Sequence, residues 1–329
     1  MIEIEDLKPY KHIHLIGIGG VSMSGIAEIL HACGFVVTGS DAVQSENTDR
    51  LIKNHIPVKI GHDLESLEKA NLVVYSAAIK KDDVELVRAK ELNIPIIERG
   101  TFLGILTKSF KNTICVSGTH GKTTTTSMIS LCFLQAGKDP SIQVGAYLKQ
   151  LDANYRVGKS DYFIIEACEY VESYLKLFPK VEVILNIDND HLDYFESLEN
   201  IVTSFSNYIK LIPDDGLLVI NWDDDNCRKI AKYTNAKVLT YGIKNENANF
   251  VARNISFNSN GFPTFDVYYN NTFYKTITLS VPGIHNVMNA LACIAVCYNY
   301  GLEREDIKDA LLKYTGAHRR FEFKGSFND

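Results

Sequence analysis

The sequence lacks several things, and each absence excludes a class of protein. No stretch approaches the ~18 consecutive apolar residues of a membrane-spanning helix, so no membrane partner is expected. There is no basic excess. The 34 Lys and Arg are outnumbered by 40 Asp and Glu, for a net charge of −6. A globally acidic chain is a poor candidate for nonspecific nucleic-acid binding, although it can still bind anions locally through backbone N–H groups. The first residues, MIEIEDLKPY, lack the basic segment and apolar stretch of a secretory signal. The seven cysteines (Cys33, Cys115, Cys132, Cys168, Cys227, Cys293 and Cys297) are odd in number and scattered, with no CxxC. That usage argues against a disulfide framework or zinc knuckle and for a cytoplasmic protein. Cys293 and Cys297, four apart on an apolar stretch, read as core residues. Internal repeats and low-complexity segments are also absent. What is present is 329 residues, 46% hydrophobic and 22% charged. That is an ordinary globular composition at about twice the usual ~150 residues per domain.

The first hundred residues alternate short apolar runs with helical patterns. Strands are expected at 12–17, 35–38, 72–75 and 94–97, with helices at 21–32, around 51–54 and at 83–92. That alternation calls for a parallel sheet covered on both faces. A break falls at 108–112. The pattern then restarts with a strand at 113–117, a glycine loop and a helix at 122–135. Further strands are expected at 161–166, 181–187, 217–220 and 237–241. From Phe250 to Leu279 three alternating runs, divided by Asn258–Gly261 and Asn270–Asn271, read as an antiparallel meander appended to the parallel sheet. Two helices follow, about 286–300 and 304–314, with Gly301 as C-cap of the first. The expected fold is therefore α/β, in two domains at 1–109 and 110–316 and a short segment at 317–329.

Two glycine turns carry the chemistry. The first, Gly17-Ile-Gly19-Gly20-Val-Ser22, lies between a strand and a helix, where a pyrophosphate approaches a helix N-terminus. Asp41 follows the next strand, where a ribose-binding carboxylate sits in dinucleotide folds. Taken alone, the turn fits NAD, another pyrophosphate ligand or a purely structural turn, because Ser22 replaces the last glycine of the fingerprint. Ser40, Asp41 and His62 are polar residues at strand ends. They suit either ligand binding or helix capping.

The second turn, Ser117-Gly118-Thr119-His120-Gly121-Lys122-Thr123-Thr124, carries Gly-Lys-Thr at a helix start. Loop N–H groups and the helix dipole cradle phosphates there, a lysine reaches the β- and γ-phosphates, and a threonine hydroxyl binds Mg²⁺. Val116 stands where the usual motif has its first glycine, but the strand–loop–helix context favours a nucleotide over a merely capped helix. Glu166 and Glu169 follow one strand and Asp188, Asp190, His191 and Asp193 another, at the sheet end that faces such a loop. Glu166 and His191 are candidate metal-holding residues. A histidine is unusual for Mg²⁺ and hints at Mn²⁺ tolerance, and on its own it suits capping or hydrogen bonding slightly better than metal ligation.

Two phosphate turns in one chain, with the stretches HLIGIGGVSMSGIAEIL, VTGSD, YSAAI, GTHGKTTTT, IIEACEYVESYL, NIDNDHLD, PGIHNVMNALA and GAHRRFE in order, resemble the Mur ligases of peptidoglycan synthesis. The resemblance spans essentially the whole chain. It implies a Rossmann-like first domain that binds a UDP-sugar rather than NAD. Gly17, Gly19, Gly20, Ser40, Asp41, His62 and the turn Ser76, Ala77, Ala78, Ile79 would contact it. It implies a central P-loop ATPase domain in which Gly118, Thr119, His120, Gly121, Lys122, Thr123 and Thr124 hold ATP. There Thr123, Glu166 and His191 hold Mg²⁺. His285, Asn286 and Asn289 match the adenine-side segment, and Arg319 and Arg320 the arginines at a hinge. The implied partners are UDP-N-acetylmuramate, L-alanine and ATP, joined in an ATP-driven amide ligation through an acyl phosphate. One departure stands out: Cys168-Glu169-Tyr170-Val171 replaces the family's Asp-Glu-Ser-Asp run, which leaves the role of Glu169 open. The family also has a third domain, expected to begin near where this sequence ends. The fragment alone is therefore expected to bind its substrates without turning them over. A nonenzymatic nucleotide-sugar module, a tripeptide-recycling ligase and an NAD-dependent dehydrogenase are the competing readings.

Overall fold

Short β-branched runs separated by side-chain-capped helices build the first part of the molecule. The computed structural model describes residues 5–316, and the chain divides into two compact units at Lys111/Asn112. In the first unit the strands are β1 (His12–Ile16), β2 (Val36–Asp41), β3 (Val58–Ile60), β4 (Leu72–Tyr75) and β5 (Ile96–Glu98). The helices are α1 (Val21–Ala32), α2 (Glu46–Lys53), α3 (Leu64–Glu68), α4 (Val84–Glu91) and α5 (Arg99–Lys108). The strands run parallel in the order β3-β2-β1-β4-β5. Because β1 is followed on one side by β2 and on the other by β4, a crevice opens at the carboxyl ends of these strands. Polar residues set the helix starts. Ser45 and Thr48 form a reciprocal capping box at α2. The Asp63 side chain accepts from Ser66 N at α3, and the Asp83 side chain from Glu85 N and Leu86 N at α4.

The second unit holds one ten-stranded sheet. Its strands are β6 (Asn112–Ser117), β7 (Ser141–Leu148), β8 (Ala153–Arg156), β9 (Tyr162–Glu166), β10 (Val181–Ile184), β11 (Leu217–Asn221), β12 (Lys237–Gly242), β13 (Phe250–Phe257), β14 (Pro263–Tyr269) and β15 (Thr272–Thr278). Its helices are α6 (Lys122–Gln135), α7 (Leu192–Phe195), α8 (Leu198–Ile209), α9 (Asp225–Ile230), α10 (Ile284–Asn299) and α11 (Arg304–Lys313). The order is β15-β14-β13-β12-β11-β10-β6-β9-β7-β8. It is parallel from β13 through β7, with the antiparallel meander β13–β15 at one edge and antiparallel β8 at the other. The meander turns at Asn270 and Asn271, both in the left-handed region that a two-residue hairpin needs.

The sheet is covered on both faces. On one, α6 and α10 lay Met128, Ile129, Phe133, Leu291 and Ile294 against Ile114, Val116, Val181 and Val183, all buried. On the other, Tyr174 stacks on Tyr208 of α8 at 4.1 Å. Cys293 and Cys297 are fully buried in the first of these layers, as expected for core residues. Gly301, with φ +65°, sits one residue beyond the α10 cap at Tyr300.

The α/β class and the meander stand as expected. The sequence pattern did not disclose β3, α3, α5, β7 and β8, and it gave α7–α9 only as helical patterns without bounds between the later strands. Edge strand β3 has two exposed residues of three, and β7 carries Gly145 and an exposed tail, so neither shows a strong apolar run.

Candidate functional site

In the first unit a cavity of about 550 Å³ opens where β1, β2 and β4 end. Gly17, Gly19 and Gly20 line it beside Ser40, Asp41 and His62. Ser76, Ala78 and Ile79 line it too, whereas exposed Ala77 is not part of the lining. The turn is braced from within. Gly17 N and Ile18 N donate to Ser40 O, and Gly20 N donates to Gly17 O. Gly19 N donates to Asp41 Oδ2 at 2.8 Å. A Cβ on Gly19 would lie 2.9 Å from that carboxylate oxygen and 2.8 Å from Thr48, so glycine is required by close approach. Asp41 therefore holds the turn's shape while facing the cavity.

Under the cavity lies a residue the sequence did not single out. Glu85, 1% exposed, takes His14 Nε2 at 3.1 Å and Asp63 N at 3.0 Å on one oxygen. Its other oxygen accepts from Ser40 Oγ at 2.7 Å and His62 Nδ1 at 3.2 Å. Burial disfavours its charge, but the hydrogen bonds from His14, Ser40 and the Asp63 amide win and hold the carboxyl at about 2, against an ordinary 4.5. A buried anion at the cavity floor thus fixes the two polar residues, Ser40 and His62, that face the ligand space. Its only trace in the sequence is a place in the first turn of α4, where any acid suits the helix dipole.

In the second unit the loop after β6 is tied to the segment after β10. Thr119 N donates to Asn186 O at 3.1 Å, and His120 N to Asn186 Oδ1 at 2.8 Å. Asn186 Nδ2 returns a bond to His120 O at 3.0 Å, and Asp188 N donates to Thr119 Oγ1 at 2.9 Å. The loop is therefore preshaped, and Asn186 is a second residue that sequence reasoning missed. Gly121, at φ +90°, is the N-cap of α6, and a Cβ there would sit 2.6 Å from Asn289 Oδ1. Asn289 is buried and bonded to Asn286, which in turn bonds Pro282 O. These two asparagines support the loop from α10. His285, next to them, is exposed, as is His120. Thr123 is buried in the first turn of α6 and Thr124 is half-buried. The amides of that turn have no intrahelical acceptor, which makes the helix start a ready anion cradle.

Lys122 points back into the loop. Its Nζ donates to Gly118 O at 2.7 Å, Thr119 O at 3.3 Å and Glu169 Oε1 at 2.8 Å. Glu166, at the end of β9, accepts from Gly145 N at 2.6 Å. The carboxylate set beside His191 is that of Glu169, with Oε1 3.9 Å from Nε2. Ligand atoms of Glu169, Asp190 and His191 all lie within 4.8 Å of one another, a donor set able to hold a divalent cation. His191 adopts φ +50° at the N-cap of α7, makes no side-chain capping bond, and packs its ring 4.7 Å from Tyr170. Arg319, Arg320 and the 317–329 segment lie outside the described residues. Among the described residues no helix is long and apolar enough to cross a membrane.

A crevice at the strand ends of one unit and a Gly-Lys-Thr loop at a helix start in the other are the marks of a nucleotide-binding α/β protein. The comparisons make the class specific. Residues 12–111 match the Mur ligase family catalytic domain and residues 116–297 the Mur ligase middle domain. The chain belongs to the Mur ligase family, whose members are ATP-dependent amide-bond ligases. It is 49% identical to UDP-N-acetylmuramate–L-alanine ligase of Acetivibrio thermocellus, covering 100% of this chain and 70% of that one. It is 48% identical to the enzyme of the same name from Caldanaerobacter subterraneus, over 97% of this chain and 69% of that one. The solved structure of UDP-N-acetylmuramate-alanine ligase from Thermotoga maritima superimposes with a TM-score of 0.83 at 30% identity, covering 97% of this chain and 71% of that one.

Proposed function

We propose that this chain binds UDP-N-acetylmuramate in the crevice of the first unit and ATP on the loop of the second, and serves the ATP-dependent ligation of L-alanine to the muramate carboxylate in the cytoplasm. The observation that carries the reading is Lys122, held inside a preshaped Gly118–Thr124 loop at the start of α6. The 49% identity to an alanine ligase selects the substrates.

The chemistry joins two anions. A muramate carboxylate oxygen attacks the γ-phosphorus of ATP, the bond to the β–γ bridging oxygen breaks, and ADP leaves. The amine of L-alanine, having lost a proton, then attacks the acyl-phosphate carbon and inorganic phosphate departs. Lys122 and the amides at the start of α6 offset the repulsion between carboxylate and triphosphate and follow the charge as it spreads over the transferred phosphoryl group. His120, exposed at the loop, would be free to contact the carboxylate or a phosphate. Asn286 and Asn289 keep the loop in register. Glu169, Asp190 and His191 form a compact donor set that would hold Mg²⁺, and Thr123 and Glu166 are the ligands that the family resemblance adds. The buried Glu169 Oε2, which has no hydrogen-bond partner, is a further acceptor there. When bound, the cation supplies charge neutralisation at the phosphates.

Calorimetric titration with UDP-N-acetylmuramate and with Mg-ATP tests the binding, and phosphate release on adding L-alanine tests the reaction. Failure of the sugar nucleotide to bind folded protein would remove the first assignment. A tripeptide serving where alanine does not would replace the second substrate.

A further inference from the structure

The structure gives Glu169 a place that its sequence context left open. Its carboxylate is 3% exposed and touches the phosphate-loop lysine directly. Lys122 has three ammonium protons, and the protein supplies three acceptors for them: two loop carbonyls and Glu169 Oε1. A phosphate that is to receive a hydrogen bond from this ammonium must displace one of the three. The carbonyls of Gly118 and Thr119 belong to the same loop as the lysine. Glu169 lies on a different segment, after β9, and is the exchangeable partner.

We propose that Glu169 is a positioning residue that holds Lys122 in the loop and yields it to the triphosphate, and that a divalent cation between Glu169 and His191 then takes the lysine's place. The proposal rests on the reading of Gly118–Thr124 as a triphosphate loop. Its physical basis is charge. Once the lysine turns to phosphate, Glu169 is left as a buried carboxylate next to a polyanion, a costly state unless another cation arrives. The groups for that cation are already in place. Glu169 Oε2 is buried with no hydrogen-bond partner, and Oε1 is 3.9 Å from His191 Nε2, with Asp190 beside it. Nucleotide and cation binding are thereby coupled through one side chain.

The test is the affinity for ATP with EDTA and with Mn²⁺, measured by calorimetry, with bound Mn²⁺ followed by electron paramagnetic resonance. For the unaltered chain, Mn²⁺ strengthens ATP binding. In Glu169→Gln, ATP binding in EDTA tightens by about tenfold because the lysine is released, and the gain from Mn²⁺ falls by at least about tenfold. Glu169→Asp keeps most of the Mn²⁺ gain. Equal weakening with and without Mn²⁺ would mark a merely structural glutamate and overturn the proposal, as would an unchanged Mn²⁺ gain. A second measurement needs no variant: acylation of Lys122 by an amine reagent, read by peptide mass spectrometry. Mn²⁺ added without nucleotide should speed labelling of Lys122 several-fold and leave other lysines unchanged. No change at Lys122 contradicts the exchange. If ATP binds under neither condition, the loop assignment itself fails, which is a different result from ATP binding that ignores Glu169.

Discussion

The two glycine turns of this chain share a frame and differ in what fills it. Each follows a buried parallel strand and opens a helix. In the first unit the turn's own amides are spent on Ser40 O, Gly17 O and Asp41 Oδ2, and the nearest buried charge is the Glu85 carboxylate under the floor. In the second, the loop is braced from outside by Asn186, and a lysine lies within it. The first is a shaped crevice whose polar rim is fixed by a buried anion. The second is a cationic cradle with a carboxylate to hold its cation. The same strand–turn–helix start thus yields a crevice floored by a buried anion in one unit and a lysine-bearing loop in the other.

The largest effect expected from breaking this contrast is at Lys122. Lys122→Ala should weaken ATP binding by on the order of a hundredfold, the scale of a lost charge-assisted phosphate contact, and leave UDP-N-acetylmuramate binding unchanged. Equal titration curves for ATP would refute the role. Next is Gly121→Ala. It forces a side chain to φ +90° and into Asn289, at a cost of about 1–3 kcal/mol, and should lower both the melting temperature and ATP affinity. A variant with normal ATP binding would show that the loop is not the constraint.

In the first unit the prediction concerns pH. Glu85 has its carboxyl lowered to about 2 from 4.5, so its stabilisation is fully present above 4.5 and is lost as pH falls through about 2. The difference amounts to on the order of 3 kcal/mol. Glu85→Gln should flatten the acid limb of unfolding in that window and weaken sugar-nucleotide binding at neutral pH. An acid limb identical to the parent's would contradict the network.

The smallest effect has the opposite sign and lies in the second unit. Glu182 is wholly buried in β10, both of its oxygens lack a hydrogen-bond partner, and burial pushes its pKa well above 4.5. Its contribution is intact below 4.5 and declines as pH rises toward the folded value. Glu182→Gln should therefore stabilise the protein at neutral pH by about 1 kcal/mol. A loss of stability there, measured by denaturant titration, would show the carboxyl to be better solvated than its surroundings indicate.

These residues also show what was legible in the sequence. The glycine turns, Lys122 and Thr123 could be singled out because phosphate chemistry constrains both residue type and spacing, whereas His191 stood out as a ligand only through the family resemblance. Helices α1 and α6 could be read because each follows a strand and a glycine turn, and the meander β13–β15 because Asn and Gly turns divide its alternating runs. Glu85, Asn186 and the Lys122–Glu169 pair could not be read. Their partners are 22 to 71 residues away, and a glutamate or asparagine after a strand looks the same whether it is solvated or buried. Strands β7 and β8 stayed hidden for a related reason. β8 is the edge strand, where half the residues need not be apolar, and β7, although paired on both sides, is exposed at Gly145 and Tyr147.

The central claim is that one chain carries two separate nucleotide sites with separate determinants. Calorimetry of Lys122→Ala with both ligands tests it most directly. The account predicts unchanged binding of UDP-N-acetylmuramate and Mg-ATP binding weakened by on the order of a hundredfold. Loss of both, in a variant that melts like the parent, would contradict it.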